Sequence, residues 1–275
     1  MSAAERGQPT EQAVAQHRAL LATCVASAIR AADEIRRRTP DRATLQWQEK
    51  SATDFVSDVD RAAEAVIAGI VRERHPDAVL LAEEGSPDAA SGRGLVFVAD
   101  PLDGTTNFLH GFPWYAVSIA AMVDGVVLAG AILNVPTGEL FTATLGGGAR
   151  RAGETIRVST ITTPARSLIG TGMPFKDPAV VERYLEVLPR IMQATAGVRR
   201  PGSAALDLAD VACGRFEGFW EARLAPWDIA AGLLLVREAG GVVTDFEGIP
   251  AEVRHTPIVA GNPEMHRWLL EQLAV

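Results

Sequence analysis

Hydrophobic positions near the start of the chain recur at the spacing of an amphipathic helix. Apolar and small residues follow the i, i+3, i+4 pattern from Val14 to Ile35, and Pro40 then interrupts it. A second run with the same period covers residues 60–74. The pattern therefore predicts two helices, joined by a polar loop over residues 42–58.

Short apolar runs follow these helices and predict a sheet. The runs AVLLA (78–82) and LVFVAD (95–100) are bounded by turn residues, as is usual for buried strands. Two longer runs, YAVSIAAMV and VVLAGAIL, flank Asp124-Gly125, a dipeptide typical of a tight hairpin turn. A further strand is expected over residues 140–144.

Helices and strands alternate in the second half of the chain, which is typical of an α/β layer. The triple glycine at residues 146–148 precedes this half. We place the division between an N-terminal α+β half, residues 1–146, and a C-terminal α/β half, residues 147–275. The pattern predicts strands at residues 167–171, 216–221, 242–244 and 258–260, and helices at residues 178–195, 203–213, 228–239 and 264–273.

The composition is that of a globular protein with a sizeable core. Of the 275 residues, 48% are hydrophobic and 22% are charged. The formal net charge of −8 argues against broad binding to nucleic acid or to an anionic membrane. The same charge would repel a phosphate ester unless a cation lies in the site, which is a first indication of a metal.

Neither the start of the chain nor its most apolar stretch indicates a membrane segment. The first twelve residues are polar and lack the apolar core of a signal peptide. The stretch over residues 117–133 is interrupted by Asp124-Gly125, so we do not expect it to span a bilayer. Cys24 and Cys213 form no CxxC pair, which favours reduced thiols over a disulfide. We therefore expect a cytoplasmic protein.

The motif that most clearly indicates a chemical function is DPLDGTTN, residues 100–107. Asp100 ends a predicted buried strand, and Pro101 stiffens the exit so that Asp103 turns back towards it. Two carboxylates this close repel each other unless a hard divalent cation such as Mg²⁺ lies between them. Gly104 lets the backbone come close to a ligand. The alternative interpretation is an ordinary Asp-Pro-x-Asp-Gly turn with side-chain capping.

Other polar groups accompany this motif. Glu83 follows a predicted strand, where the alternative is a solvated acidic turn. Asp228 opens a predicted helix, where the alternative is a simple N-cap. A third acidic cluster ends at Asp60. Thr105 and Thr106 supply hydroxyls and backbone N–H groups, and a helix that begins there would bind a phosphate at its N-terminus.

Taken together, these motifs resemble those of the inositol monophosphatase family. The resemblance extends from about Lys50 to Gly261 and comprises, in the family's order, DFVSDVD, AEEG, DPLDGTTNF, GSAALDLADVACGRFEGFWE, and PWDIAAG followed by EAGG. DPLDGTTN and PWDIAAG are jointly the most specific of these stretches. The resemblance implies an α+β or α/β fold, namely a layered αβαβα sandwich of the sugar phosphatase type, a homodimer, and use of Mg²⁺ with sensitivity to Li⁺.

The resemblance also implies roles for individual residues in a site with roughly two to three Mg²⁺ ions. The implied metal ligands are Glu83, Asp100, the backbone carbonyl of Leu102, Asp103 and Asp228. The implied catalytic residues are Asp60 and Thr105, which orient the attacking water, together with Glu83. The implied substrate contacts are Gly104, Thr105, Thr106, Gly202, Ser203, Ala204, Glu221 and Asp228.

The implied reaction is Mg²⁺-dependent hydrolysis of the phosphate monoester of a small polyol or sugar, with inositol monophosphate as the expected substrate. Three enzyme alternatives share the metal carboxylates: fructose-1,6-bisphosphatase, histidinol-phosphate phosphatase and nucleotide 3′-phosphatase. An alternative of a different class is a binding protein that kept the fold without catalysis. The sequence departs from the family at residues 150–153, RRAG, and at Arg223, which either binds a second substrate charge or is a solvated loop residue.

Overall fold

The computed structural model describes residues 10–40, 47–51, 54–85, 94–174 and 178–274. Within these ranges the chain forms five layers: two helices, a large mixed sheet, two more helices, a smaller mixed sheet and an outer pair of helices. This αβαβα sandwich confirms the fold expected from the sequence.

Seven helices and fourteen strands lie in the described ranges. The helices are α1 (Glu11–Arg38), α2 (Asp58–Arg74), α3 (Thr105–His110), α4 (Pro178–Ala194), α5 (Ala204–Ala212), α6 (Pro226–Glu238) and α7 (Pro263–Leu273). The strands are β1 (Trp47–Ser51), β2 (Asp54–Ser57), β3 (Val79–Ala82), β4 (Leu95–Asp103), β5 (Ala116–Val123), β6 (Val126–Asn134), β7 (Leu140–Thr144), β8 (Gly148–Arg151), β9 (Glu154–Thr155), β10 (Leu168–Thr171), β11 (Gly197–Arg199), β12 (Gly218–Leu224), β13 (Val242–Thr244) and β14 (Thr256–Gly261).

The large sheet has the order β3-β4-β5-β6-β7-β8-β9, and only the β3–β4 pair among these described strands is parallel. Helices α1 and α2 cover one face and α6 covers the other. The apolar stripe of α1, including Leu20, Ala28 and Ile35, is buried against the sheet. Asp124 and Gly125 have φ angles of +48° and +82° between β5 and β6, which confirms the predicted hairpin.

The smaller sheet has the order β11-β10-β12-β14-β13. Helices α5 and α6 separate it from the large sheet, and α4 and α7 pack against its outer face. The outer core is centred on Trp220, whose ring stacks on Tyr184 with 4.6 Å between the ring centroids. The predicted helices and strands of this half are present, with bounds that differ by at most three residues.

The prediction of a polar loop over residues 42–58 is wrong for the part of this segment that the structure describes. Strands β1 and β2 pair there as an antiparallel hairpin, and α2 begins at Asp58. Among the described strands, these two pair only with each other, so backbone hydrogen bonds form them without the apolar alternation that sequence patterns detect. Two further strands, β8 and β9, continue the large sheet from Gly148, the last residue of the triple glycine. In the RRAG segment, Arg150 and Arg151 belong to β8, and Ala152 and Gly153, both with positive φ, form the turn to β9. The division at residues 146/147 stays a prediction.

The described residues contain no helix with the length and apolar character that a membrane span requires. Cys24 is buried in α1 and Cys213 is half-buried at the end of α5, and both are free thiols, as expected. Burial raises the pKa of Cys24 to about 12, so this thiol stays protonated and unreactive at neutral pH.

Glu238, at the end of α6, anchors the triple-glycine turn. Its Oε1 accepts a hydrogen bond from the Gly146 N–H at 2.9 Å, and its Oε2 accepts one from the Gly148 N–H at 2.8 Å. A carboxylate that accepts two backbone N–H groups makes charge-assisted hydrogen bonds, which are stronger than neutral ones. The helix layer between the sheets is thereby attached to the far edge of the large sheet.

We expect Glu238→Ala to lower the free energy of unfolding by about 2 kcal/mol, because it removes both acceptors and leaves two glycine N–H groups without them. Chemical denaturation monitored by circular dichroism measures this change. Glu264→Ala is the matched control, because Glu264 is an exposed helix residue whose ion pair with Arg267 lies on the surface of the same helix. Equal stability of the two variants would contradict the role of the anchor.

Candidate active site

One large cavity opens where the two sheets and the helices between them meet. Its volume is about 890 Å³, and it is bordered by the ends of β3, β4 and β10, by β12, and by the first residues of α3, α5 and α6. All but one of the site residues expected from the sequence line it: Glu83, Asp100, Leu102, Asp103, Gly104, Thr105, Thr106, Gly202, Ser203, Ala204, Glu221 and Asp228. The exception is Asp60, which lies behind the wall.

Two of the carboxylates are positioned by the end of β4. The pairing of β4 with β5 is irregular between Asp100 and Asp103, and both side chains border the cavity. The Leu102 N–H donates to Asp100 Oδ1 at 2.9 Å. Asp103 Oδ2 accepts hydrogen bonds from Ser203 Oγ at 2.6 Å and from the Ala205 N–H at 2.7 Å. Asp103 therefore connects the large sheet to the N-terminus of α5.

The other two carboxylates come from α6 and from the turn after β3. Asp228 Oδ2 accepts a hydrogen bond from the Ala225 N–H at 2.7 Å, a capping contact that uses one carboxylate oxygen. The interpretation of Asp228 as a simple N-cap is wrong in position, because Ala225 is the N-cap of α6 and Asp228 is its third residue. Its side chain still caps the helix through one oxygen, which leaves the other oxygen for a second role. Glu83 is half-buried directly after β3. Next to it, the Glu84 N–H donates to Glu64 Oε2 of α2 at 2.9 Å, which fixes this turn.

The four carboxylates influence one another's ionisation. Burial raises the pKa of Asp100 well above its ordinary value, and the charges of the three other carboxylates raise it further. Burial also raises the pKa of Asp103, to about 6, although hydrogen bonds from Ser203 and Ala205 oppose the shift. The pKa of Asp228 is likewise raised, first by burial and then by the charges of Asp103 and Glu83. Full ionisation of this group is costly, and a cation among its oxygens would remove the cost.

The side chains of Asp60 and Thr105 form a hydrogen bond with each other next to the carboxylates. The side chain of Asp60 is only 1% exposed. Its Oδ2 accepts from the N–H and the hydroxyl of Ser57 at 2.8 and 2.5 Å, and its Oδ1 accepts from Thr105 Oγ1 at 2.8 Å. Burial raises the pKa of Asp60, and these hydrogen bonds oppose the shift. The Thr105 hydroxyl also lies 3.0 Å from the carbonyl oxygen of Leu102.

Within the described ranges, no three His, Cys, Asp or Glu side chains are grouped so that they would already enclose a metal ion. The carboxylates share one cavity, but backbone and hydroxyl donors hold several of their oxygens. The donor set consists of carboxylate and carbonyl oxygens, which suits a hard cation such as Mg²⁺ rather than a soft one.

Gly104 lets the chain segments that form the cavity wall pack closely together. Gly104 has a φ of +93°, and a Cβ atom there would lie 3.0 Å from the carbonyl oxygen of Trp114 and 3.2 Å from that of Gly202. The Asn107 side-chain amide bridges the same segments, since its Nδ2 donates to the carbonyl oxygens of Trp114 at 2.7 Å and Pro201 at 2.8 Å. The segment that precedes α5 is therefore fixed against α3.

Glu221 and two arginines also line the cavity. Glu221 lies directly against Gly172, where any side chain would collide with its carboxylate. Arg200 and Arg223 are both exposed and both line the cavity. The two interpretations of Arg223, solvation and contact with a substrate charge, are thus compatible with its position.

Several residues of the site were not predicted from the sequence. Asn107 belongs to the DPLDGTTN motif, yet its bridging role depends on a contact with Pro201. Asp207 also lines the cavity. Ser57 could have been found, because the serine three residues before Asp60 matches the capping-box pattern that the structure forms.

The sequence of this chain is similar to those of known proteins. The chain matches the model of the inositol monophosphatase family over residues 16–274. It is 44% identical to Nus factor SuhB of Pseudomonas aeruginosa over 248 residues, which cover 88% of this chain and 92% of that protein.

Solved structures show the same likeness. The crystal structure of extragenic suppressor protein SuhB from Bartonella henselae matches with a TM-score of 0.88 and 42% identity, covering 93% of this chain and 98% of that one. The Thermotoga maritima IMPase matches with a TM-score of 0.82 and 31% identity, covering 90% of this chain and 94% of that one.

Proposed function

This chain belongs to the inositol monophosphatase family, and we propose that it is a Mg²⁺-dependent phosphatase that hydrolyses the monoester of a small phosphorylated polyol or sugar, with inositol monophosphate as the preferred substrate. The observation that carries the proposal is the meeting of Glu83, Asp100, Asp103 and Asp228 in one cavity. These side chains come from three separate elements and make that cavity acidic, buried and rich in oxygen ligands.

The residues of the cavity fit Mg²⁺. Asp100, Asp103 and Asp228 are each oriented by hydrogen bonds to one carboxylate oxygen, which keeps the other oxygen for a metal. Glu83 and the carbonyl of Leu102 complete the proposed ligand set. When bound, Mg²⁺ neutralises the phosphate and polarises both the ester and the attacking water. Because no preformed enclosure exists among the described side chains, we expect small rotations of the carboxylates on binding.

The chain's own groups orient the nucleophile and the phosphate. The Thr105 hydroxyl donates to Asp60, so its lone pairs can accept a hydrogen bond from the attacking water. Asp60, held by two donors from Ser57, fixes that hydroxyl. The backbone N–H groups at Gly104, Thr105 and Thr106 contact the phosphate oxygens in this proposal. Phosphoryl transfer depends mainly on such positioning and on charge neutralisation.

The leaving group faces the opposite wall. In the proposal its hydroxyls contact Gly202, Ser203, the backbone of Ala204, and the carboxylates of Glu221 and Asp228. The three rival phosphatases share the metal carboxylates, so only this wall distinguishes them. Arg200 and Arg223 keep a bisphosphorylated sugar among the candidates, since either cation could bind a second phosphate.

Phosphate release with and without Mg²⁺ tests the proposal. The panel is myo-inositol 1-phosphate, fructose 1,6-bisphosphate, histidinol phosphate and a nucleoside 3′-monophosphate, ranked by kcat/KM. We expect release to depend on Mg²⁺, to stop with excess EDTA and to be fastest for the inositol ester; added Li⁺ should inhibit. Absence of Mg²⁺-dependent release from every ester would refute the proposal, whereas a different ranking would change only the substrate.

A second candidate function is that of a Nus factor, because the chain is 44% identical to a protein with that name. Complementation in a Pseudomonas aeruginosa strain that lacks its SuhB tests this role. Rescue by both the wild-type chain and a catalytically inactive Asp103→Asn variant would show a role independent of hydrolysis. Failure of the wild-type chain to rescue would remove this candidate.

A cytoplasmic homodimer is the assembly that the family resemblance implies. The chain mass is 29.2 kDa, so light scattering of the purified protein should give twice this mass. A mass equal to that of one chain would contradict the dimer.

A further inference from the structure

Asp207 is a buried acidic residue that the proposed reaction does not use. It lies in α5, one turn after Ser203, and its side chain is only 1% exposed. It nevertheless borders the same cavity as Asp103, Ser203 and Glu221. Its position therefore makes it part of the wall that would face a leaving group.

One oxygen of the Asp207 carboxyl lacks the partner that a buried acid normally has. Its Oδ1 is buried and has no hydrogen-bond partner among the residues that the structure describes. Asp210, one turn along the same helix, provides a contrast: its Oδ1 accepts from Arg215 at 2.9 Å. A buried oxygen without a donor costs stability, so native proteins retain such groups where a ligand or an ordered water completes them.

The charges around Asp207 restrict which ligand group could form a hydrogen bond with its carboxyl. Burial raises the pKa of Asp207 well above its ordinary value, and the charges of Glu221 and Asp103 raise it further, while Arg200 opposes them. A second phosphate placed here would meet three acidic groups. A hydroxyl group carries no charge and is both donor and acceptor, so it pairs with the carboxyl in either protonation state.

We propose that Asp207 is a specificity-determining residue that forms a hydrogen bond with a hydroxyl group of the substrate's leaving group, next to Glu221. The inference rests on the proposed phosphatase function and deepens it, because it selects polyol monophosphates over esters without hydroxyls. A site that buries a polar group for a substrate hydroxyl discriminates strongly against analogues without it, since that group is then left unpaired.

The test compares two esters of similar ring size and leaving-group type, myo-inositol 1-phosphate and cyclohexyl phosphate, which has no hydroxyl. The measured quantity is the ratio of their kcat/KM values with Mg²⁺ supplied. We expect Asp207→Leu to lower this ratio about tenfold or more. We expect Asp207→Asn to retain most of it, because the amide still pairs with a hydroxyl.

Thermal unfolding separates this role from a structural one. Removing a buried carboxyl whose Oδ1 accepts no hydrogen bond from the described residues should leave the Tm of Asp207→Leu unchanged or raised. The matched control is Asp210→Asn, which weakens the ion pair with Arg215 on the same helix and should lower Tm without changing the ratio. If Asp207→Leu does not fold, Asp207→Ala replaces it with the same expected ratio.

An unchanged ratio in the variant without a carboxyl, whatever its Tm, overturns the inference. A lowered ratio with a retained Tm supports it. If the wild-type chain hydrolyses neither ester with Mg²⁺, the proposed function fails first and the inference falls with it. Hydrolysis of both esters with a ratio independent of residue 207 overturns the inference alone.

Discussion

Replacing Asp103 by asparagine should reduce Mg²⁺-dependent kcat by about 10³-fold or more while the fold remains intact. A metal contributes several kcal/mol of charge stabilisation to phosphoryl transfer, and each 1.36 kcal/mol corresponds to a tenfold change in rate. The asparagine removes a ligand charge from the acidic group. Its carbonyl oxygen can still accept the hydrogen bonds from Ser203 and Ala205 that Asp103 Oδ2 now accepts.

Phosphate release and thermal unfolding together measure this prediction. The wild-type chain should gain Tm on addition of Mg²⁺, because the ion binds the folded state, and the variant should gain less. Asp124→Asn is the control, since Asp124 lies in the β5–β6 turn and asparagine suits that turn. Full activity of the Asp103 variant with Mg²⁺ present would exclude Asp103 as a ligand.

Replacing Thr105 by alanine should lower kcat about 10²-fold and change KM far less. The hydroxyl is the link between buried Asp60 and the proposed nucleophile, so its loss affects the orientation of water more than the binding of substrate. Steady-state kinetics separate the two parameters. The expected split therefore identifies water positioning as the function of this residue.

Thr105→Ser is the matched control, because it keeps the hydroxyl and loses only a methyl group. We expect it to retain most of the activity. An effect of the alanine change on KM alone would indicate that Thr105 binds substrate, and equal loss in both variants would indicate that packing of the methyl group is responsible.

The elements that carry the carboxylates could be predicted from the sequence. Asp100 follows an apolar strand and Asp228 opens a helix, and both features are local in sequence. The β5–β6 hairpin could also be predicted from the sequence, because its Asp-Gly turn requires a backbone conformation that few other dipeptides adopt. Local rules succeed where a few neighbouring residues determine the conformation.

Contacts between segments that are distant in sequence could not be predicted from local patterns. Asn107 donates to Pro201, 94 residues further along the chain, and no local pattern specifies that distance. The lack of a hydrogen-bond partner for Asp207 Oδ1 among the described residues can be recognised only once its surroundings are known. The hairpin of β1 and β2 was missed for another reason, since it depends on backbone pairing in a polar segment.

The bridge from Asn107 to the segment before α5 has a consequence for how this fold diversifies. The groups proposed for hydrolysis lie mainly on the large sheet and α3, whereas the wall proposed for the leaving group belongs to α5 and β12. The Asn107 amide links these two modules in addition to Asp103, and it does so at the carbonyl oxygens of Trp114 and Pro201, which any side chains at those positions would still present. A chimaera that exchanges the second module between relatives could thus acquire a new substrate while inheriting the same catalytic apparatus.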